Sequence, residues 1–110
     1  MAYDEELAER IREIAYPRRD LTERKMFGGL AFLIGGNMAV AASGKGGLLV
    51  RVAPAEGDGL LDGPAITPMV MGGRELHGWL RVAPETVDDD TVLRKWVERG
   101  VRFAATLPRK

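Results

Sequence analysis

Cysteine is absent from the 110-residue chain, and histidine occurs once, as His77. The lack of cysteine excludes disulfide bonds, a thiolate nucleophile and a thiolate metal site. A single histidine also excludes a metal site built from several imidazoles. A hydrophobic core must therefore hold the fold together. This suits a reducing cytoplasm, and we expect a cytoplasmic protein.

Long apolar runs and an excess of charge are also missing. No apolar run approaches the roughly 20 residues needed to cross a bilayer, and the acidic N-terminus is the opposite of a secretion signal. Sixteen basic residues balance sixteen acidic ones. The chain therefore lacks the overall positive field of a dedicated nucleic-acid-binding domain. We expect a soluble protein without a membrane span.

The length and the hydrophobic content of 45% suit one domain with one core, spanning residues 1–110. Near the start, apolar residues from Leu7 to Ala15 recur at helical spacing. They follow Asp4, a residue type that caps helices. The pattern predicts an amphipathic helix over residues 4–16, with its apolar side buried against another element.

The end of the chain carries a second helical pattern. An apolar stripe runs from Leu93 to Leu107, behind three consecutive aspartates at 88–90 that suit a helix N-terminus. Gly100 lies within this stripe and costs the helix about 1 kcal/mol relative to alanine. We therefore expect another backbone to approach the helix closely at Gly100.

Between the helices, apolar segments alternate with glycine-rich turns. We expect strands at 26–34, 37–43, 47–53, 66–71 and 75–82. A short helix or an irregular crossing is expected over 54–63. Gly28 and Gly29 fall inside the first segment, where they are expected to kink the strand. The Gly-Gly pairs at 35–36 and 72–73 suit hairpin turns, because glycine readily adopts positive φ angles.

The elements follow in the order helix, three strands, weak helix, two strands, helix. No strand-helix-strand repeat is present, which predicts an α+β fold with a largely antiparallel sheet of about five strands and flanking helices. The helices are expected to cover one face of the sheet. The other face is where we expect a partner to bind. Met26, Met38, Met69 and Met71 fall in the strands, where we expect them to fill a core; a binding face is the alternative if they are exposed together.

Motifs for catalysis or cofactor binding are missing. Glycines flank Lys45, but the spacing of a phosphate-binding loop and the helix that should follow it are absent. The aspartates at 88–90 are explained by helix capping rather than by metal binding. By period-two alternation, His77 shares one side of a strand with Glu75 and Trp79. We expect no enzyme, no cofactor and no metal site, and a small enzyme based on His77 and Glu75 is the least favoured alternative.

Two sets of residues are candidates for contacts with other molecules. The last helix places Lys95, Arg99 and Arg102 on one side, where they could contact the phosphates of a nucleic acid. We expect no exposed aromatic residues between these three on that side of the helix, so nucleic acid is the less favoured partner. The candidate partner-binding set belongs to the sheet and consists of Met26, Phe27, Gly28, Gly29, His77 and Trp79.

The most specific motif is the run Arg24-Lys25-Met26-Phe27-Gly28-Gly29, which precedes an apolar strand. Further characteristic segments are Gly36-Asn37-Met38-Ala39, Leu48-Leu49-Val50-Arg51-Val52, Pro68-Met69, Gly78-Trp79, Trp96 and Leu107-Pro108. In these segments the chain resembles the N-terminal domain of the TfoX/Sxy family. The resemblance extends over nearly the whole chain, from Leu7 to Pro108.

The resemblance implies an α+β domain similar to type III secretion chaperones, and a link to the regulation of natural competence. The founding members are linked to the cyclic AMP receptor protein at competence promoters and carry a second, C-terminal domain. We expect a non-enzymatic regulatory or adaptor domain that binds a protein partner, such as part of the transcription machinery. The open sheet face or an edge strand near 26–36 would form the contact. A homodimer is one form of this interaction, and a nucleic-acid-associated regulator using the basic last helix is the alternative.

Overall fold

A computed structural model describes residues 3–16, 18–26 and 28–109. The elements are, in chain order, α1 (Glu5–Ala15), β1 (Leu21–Met26), β2 (Gly29–Ile34), β3 (Asn37–Ala42), β4 (Leu48–Arg51), α2 (Pro54–Leu60), β5 (Ile66–Met71), β6 (Arg74–Val82), α3 (Pro84–Val87) and α4 (Asp90–Ala105). The strands form one antiparallel sheet in the order β1-β2-β3-β4-β6-β5. The predicted α+β class is confirmed, but the sheet has six strands rather than five.

The additional strand is β1, which the sequence did not predict. Its residues Thr22 to Lys25 are polar and exposed, so they show no alternation between apolar and polar positions. β1 lies at one edge of the sheet, where charged side chains discourage pairing with another chain. Hydrogen bonds to β2 rather than burial make this segment a strand.

Gly28 and Gly29 do not kink a strand. They lie at a tight hairpin turn, because Met26 of β1 pairs directly with Gly29 of β2. Gly28 has a φ of +74°, a conformation that favours glycine. Gly29 is needed for close packing, because a Cβ atom there would lie 2.0 Å from the carbonyl oxygen of Ala42. Phe27, which the prediction placed in the same strand, lies outside the described residues.

The main core lies between one face of the sheet and the helices α1 and α4. Its largest fully buried side chains include Ile11 of α1, Phe32 of β2 and Leu93 of α4. The predicted N-caps are confirmed in both helices. The Asp4 carboxylate accepts a hydrogen bond from the Leu7 amide, and Asp89 accepts from the amides at the start of α4.

Gly100 marks the closest approach of α4 to the sheet. A register shift in the β2–β3 pairing occurs beside Ala39, and the Ala39 carbonyl oxygen would lie only 2.5 Å from a Cβ atom at Gly100. The predicted backbone approach is therefore confirmed. Glycine is used here because any larger residue would separate the helix from the sheet.

The second face of the sheet carries its own apolar cluster, to which no helix residue contributes within the described part of the chain. Its buried members come from four strands: Ala31, Leu33, Met38, Ala41, Leu49 and Met69. Met38 and Met69 are only 4% and 3% exposed, so these methionines fill a core. Register shifts in the β2–β3 and β5–β6 pairings allow a sheet to twist and curl over such a cluster. Six side chains of this face are therefore buried rather than exposed to a partner, and partner binding on this face stays a prediction.

Candidate protein-binding surface

The structure does not assemble the predicted partner-binding residues into one exposed site. Met26 is half-buried and packs against the second apolar cluster, and Trp79 packs there as well. Gly28 is exposed in its turn, whereas Gly29 is buried against β3. Phe27 lies outside the described residues. The expected edge strand near 26–36 is also corrected, because β2 lies inside the sheet and the edge is β1.

The expected alignment of Glu75, His77 and Trp79 on one side of a strand is wrong. β6 is irregular around Gly78, whose φ is +83°, and its register with β5 shifts at the same place. As a result, Leu76 and Trp79 pack into the same cluster although they are three positions apart. A regular strand would place them on opposite faces.

His77 instead faces solvent beside α2. Its Nδ1 atom lies 3.5 Å from Oδ1 of Asp58, and both side chains are 70% exposed. An exposed pair of this kind contributes little to stability. The pair lies at the surface and lines none of the hollows described below.

Trp79 is part of a stack that connects the sheet to α4. The guanidinium carbon of Arg51 lies 5.1 Å from the centre of the Trp79 ring and 5.6 Å from the centre of the Phe103 ring. Such cation–π contacts favour a fixed position of the arginine. Trp79 therefore has a structural role in joining β4, β6 and α4.

The three basic residues predicted to contact nucleic acid are not equivalent. Lys95 and Arg102 are exposed, but Nε of Arg99 lies 3.4 Å from Oε1 of Glu56 in α2. The Arg99 guanidinium also lies 4.8 Å from the centre of the Trp96 ring. Because Glu56 offsets the charge of Arg99, the positive surface of α4 is weaker than the sequence pattern indicates.

A groove that the sequence pattern did not predict lies between the C-terminal halves of α1 and α4, and we call it the α1–α4 groove. Its volume is about 420 Å³. Its lining is mostly apolar and consists of Ile14, Ala15, Val97, Val101 and Ala105, together with Arg18, Glu98 and Arg102. Ile14 and Val101 are partly exposed, and Ala105 is exposed.

The groove has a simple structural origin. At the N-terminal end of α4, Arg10 of α1 holds the two helices together through Asp90, at 2.7 Å, and the Val87 carbonyl oxygen, at 2.8 Å. Towards the C-terminal ends, Ala15 and Ala105, whose side chains are short, line the open space between the helices. The alanines on the two helices are the only sequence feature that could have indicated the groove. The apolar periodicity of the helices predicted only their burial against the sheet.

A second hollow of about 410 Å³ adjoins the groove, because Arg18 lines both. Its other lining residues are Tyr16, Arg19 and Leu21, and Tyr16 is 74% exposed. Arg18 donates two hydrogen bonds to Asp20, which lower the pKa of Asp20 and raise that of Arg18. Both groups are therefore charged at neutral pH.

Residues 3–16, 18–26 and 28–109 contain neither a metal-binding cluster nor a membrane-spanning helix. Within these ranges, no group of three or more histidine, aspartate or glutamate side chains is arranged to hold a metal ion. None of the helices described there is long and apolar enough to span a membrane.

Comparison with known proteins identifies the family. Neither the curated proteins nor the solved structures give a match. A family model described as the TfoX N-terminal domain matches residues 13–104, which include all six strands, most of α4 and only the C-terminal end of α1. Because this match covers most of the chain and agrees with the motifs around Gly28 and Trp79, the chain belongs to the TfoX N-terminal domain family.

Proposed function

We propose that this protein is a non-enzymatic regulatory domain that acts by binding a protein partner in the α1–α4 groove. The main support is the groove itself, where Ile14, Val101 and Ala105 expose apolar surface between two helices. Apolar concavities of this kind are typical binding sites on soluble domains. The curled second face of the sheet is already filled by its own side chains, so the helical side is the better binding surface.

The family supports a regulatory role in particular. A TfoX N-terminal domain points to competence-related or other transcriptional regulation, so we propose a partner from the transcription machinery. In this role the domain would supply a binding surface and perform no chemistry. A second copy of the chain is the other form that a protein partner could take.

The test is capture of partners from an extract of the source cells with the tagged protein and with Ala105→Glu. Ala105 is exposed in the groove, so the variant should fold while placing a charge on the apolar surface. Thr91→Glu is the matched control, because Thr91 is exposed on the same helix about 20 Å away along the axis. Mass spectrometry should identify a protein that is retained by the wild type and the control and lost with Ala105→Glu.

Two results would contradict the proposal. The first is a partner that all three proteins retain equally, because the groove would then play no part. The second is recovery of nucleic acid alone, lost steeply as salt is raised and dependent on Lys95 and Arg102. That result would favour the alternative of a nucleic-acid-associated regulator. Light scattering of the purified chain distinguishes a homodimer from a complex with another protein.

A further inference from the structure

We propose that the α1–α4 groove binds an acidic amphipathic helix of the partner protein. This inference rests on the proposed function and adds the chemical class of the ligand. An amphipathic helix commonly binds by placing its apolar face in a hydrophobic groove. The shape and the charge of this groove both favour such a ligand.

The shape of the groove fits a helix rather than an extended strand. Val97 and Ala105 of α4 are eight positions apart, so the lining covers about 12 Å of helix, or roughly two turns. Ala15 and Ala105 are small, which permits a third helix to approach α1 and α4 closely. An apolar stripe on the incoming helix would cover Ile14 and Val101.

The charges at the Arg18 end of the groove favour acidic side chains on the ligand. The hollow that adjoins the groove at Ile14 is different, because its charged lining residues are Glu6, Glu13, Asp88, Asp90, Arg10 and Arg94. Arg18, Arg19 and Arg102 line the groove and the hollow at Tyr16, whereas Glu98 is the only acidic lining residue among those described. Arg19 and Arg102 have no ionic partner in the described part of the chain, whereas Arg18 is paired with Asp20. A helix with carboxylates on both sides of its apolar stripe would be complementary, and a basic helix would be repelled.

Tyr16 supplies a further contact next to the groove. It is 74% exposed at the end of α1 and lines the hollow with Arg18 and Arg19. Tyrosine and arginine are among the residue types that contribute most to protein interfaces. The ligand helix would therefore extend from the apolar groove across Arg18 to Tyr16.

The first test uses two designed helical peptides with the same leucine stripe, one flanked by glutamates and one by lysines. Each is titrated into the isotopically labelled 110-residue chain and followed by NMR. At low salt we expect the acidic peptide to bind at least about tenfold more tightly, a difference of about 1.4 kcal/mol. The shifted amides should be those of residues 14–16 and 97–105, and binding should weaken as salt rises. Equal or tighter binding of the lysine peptide, or no binding of either at about 1 mM, would overturn the inference.

Charge reversal makes the test specific. Arg102→Glu should weaken binding of the acidic peptide and strengthen binding of the lysine peptide. Arg19→Glu should change the two affinities in the same directions. Lys95→Glu is the matched control, because it changes the net charge equally on an exposed position of α4 outside the groove lining. If Lys95→Glu has the same effect as Arg102→Glu, overall charge explains the preference and the inference is wrong. Unfolding curves of each variant verify that the fold is intact.

The captured partner separates this inference from the proposed function. Suppose that a partner is lost with Ala105→Glu but retained by Arg19→Glu and Arg102→Glu. The groove would then remain the binding site, and the inference that the ligand is an acidic helix would be overturned. A partner lost with all three variants, and retained by Lys95→Glu, would support both. A protein that binds elsewhere on the surface would overturn both.

Discussion

At Gly100, helix α4 comes close to a carbonyl group of the sheet. The helix would be more stable with alanine at this position by about 1 kcal/mol, considered alone. In the folded protein, however, a Cβ atom would lie 2.5 Å from the Ala39 carbonyl oxygen and 2.8 Å from Cγ1 of Val40. The packing of two elements therefore outweighs the intrinsic preference of one.

Gly100→Ala should lower the free energy of unfolding by about 1–3 kcal/mol, because overpacking must move α4 away from β3. Gly59→Ala in α2 is the matched control, since a Cβ atom there has no neighbour within 4 Å. That substitution should be neutral or stabilising by up to about 1 kcal/mol. Urea unfolding of both variants tests the two predictions. A gain in stability for Gly100→Ala would contradict the close approach of α4 to β3.

The three aspartates at 88–90 differ although the sequence presents them as equivalent. Only Asp89 caps α4, where its Oδ1 atom accepts hydrogen bonds from the amides of Thr91, at 2.8 Å, and Val92, at 3.2 Å. Asp89→Ala should therefore cost about 1 kcal/mol. Asp88→Ala should change the free energy of unfolding by less than about 0.5 kcal/mol, because Asp88 is exposed and its side chain does not cap the helix. Thermal unfolding distinguishes the two, and equal losses would show that the cap is not specific to Asp89.

Among the elements, the sequence predicted both long helices and the β5–β6 hairpin, because apolar periodicity and glycine turns mark them directly. It left residues 54–63 open between a short helix and an irregular crossing, and the structure has the helix α2 there. It missed β1, whose polar residues become a strand only through pairing with β2. It also joined β2 to the preceding turn, since Gly28 and Gly29 suit a kink and a hairpin equally well. The limits of β1 and β2 depend on how the two strands pair, and the local sequence pattern does not show this pairing.

Helix α1 is connected to the edge strand β1 by Arg12 and Glu23. Arg12 donates hydrogen bonds to both carboxylate oxygens of Glu23, at 2.6 and 2.7 Å, and also pairs with Glu9. The hydrogen bonds from Arg12 lower the pKa of Glu23 below its ordinary value. The ionised form of Glu23 is therefore stabilised by folding.

A lowered carboxylate pKa makes stability depend on pH with a defined sign. The contribution of Glu23 is complete above its unfolded-state pKa of about 4.3, and is lost as the pH falls through the lower folded-state pKa. Because the pair is partly exposed, Glu23→Gln should cost less than about 1 kcal/mol at pH 7. The difference from wild type should shrink as the pH falls below about 4.

Urea unfolding at several pH values measures this difference. Glu13→Gln is the control, because Glu13 is exposed on α1 and has no ionic partner among the described residues. Its effect at pH 7 should stay within about 0.5 kcal/mol. A Glu23→Gln difference that is constant from pH 7 to low pH would show that ionisation of Glu23 does not contribute.

For the whole molecule, the sequence indicated that the helices cover one face of the sheet but not that the other face carries its own buried cluster. Methionines in strands are compatible with a core and with a binding surface, and the burial of Met38 and Met69 shows that they fill a core here. The binding surface was consequently predicted on the sheet. The α1–α4 groove was missed because it depends on two alanines that lie far apart in the chain.

Closure of the second face makes Met69 important for the whole sheet. Met69 lies on the edge strand β5 but shares a buried cluster with Leu33 and Met38 from the other half of the sheet. Met69→Ala should therefore lower the free energy of unfolding by about 2–5 kcal/mol, as expected for removal of a buried methionine.

Met71→Ala is the matched control, because Met71 belongs to the same strand and is 43% exposed. Its cost should stay within about 0.5 kcal/mol. Chemical denaturation measures both values, and hydrogen exchange shows where protection is lost. Loss of protection in β2 and β3 with Met69→Ala would demonstrate contact across the curled face. Equal, small effects of the two substitutions would mean that the face is open, and the sheet would again become a candidate binding surface.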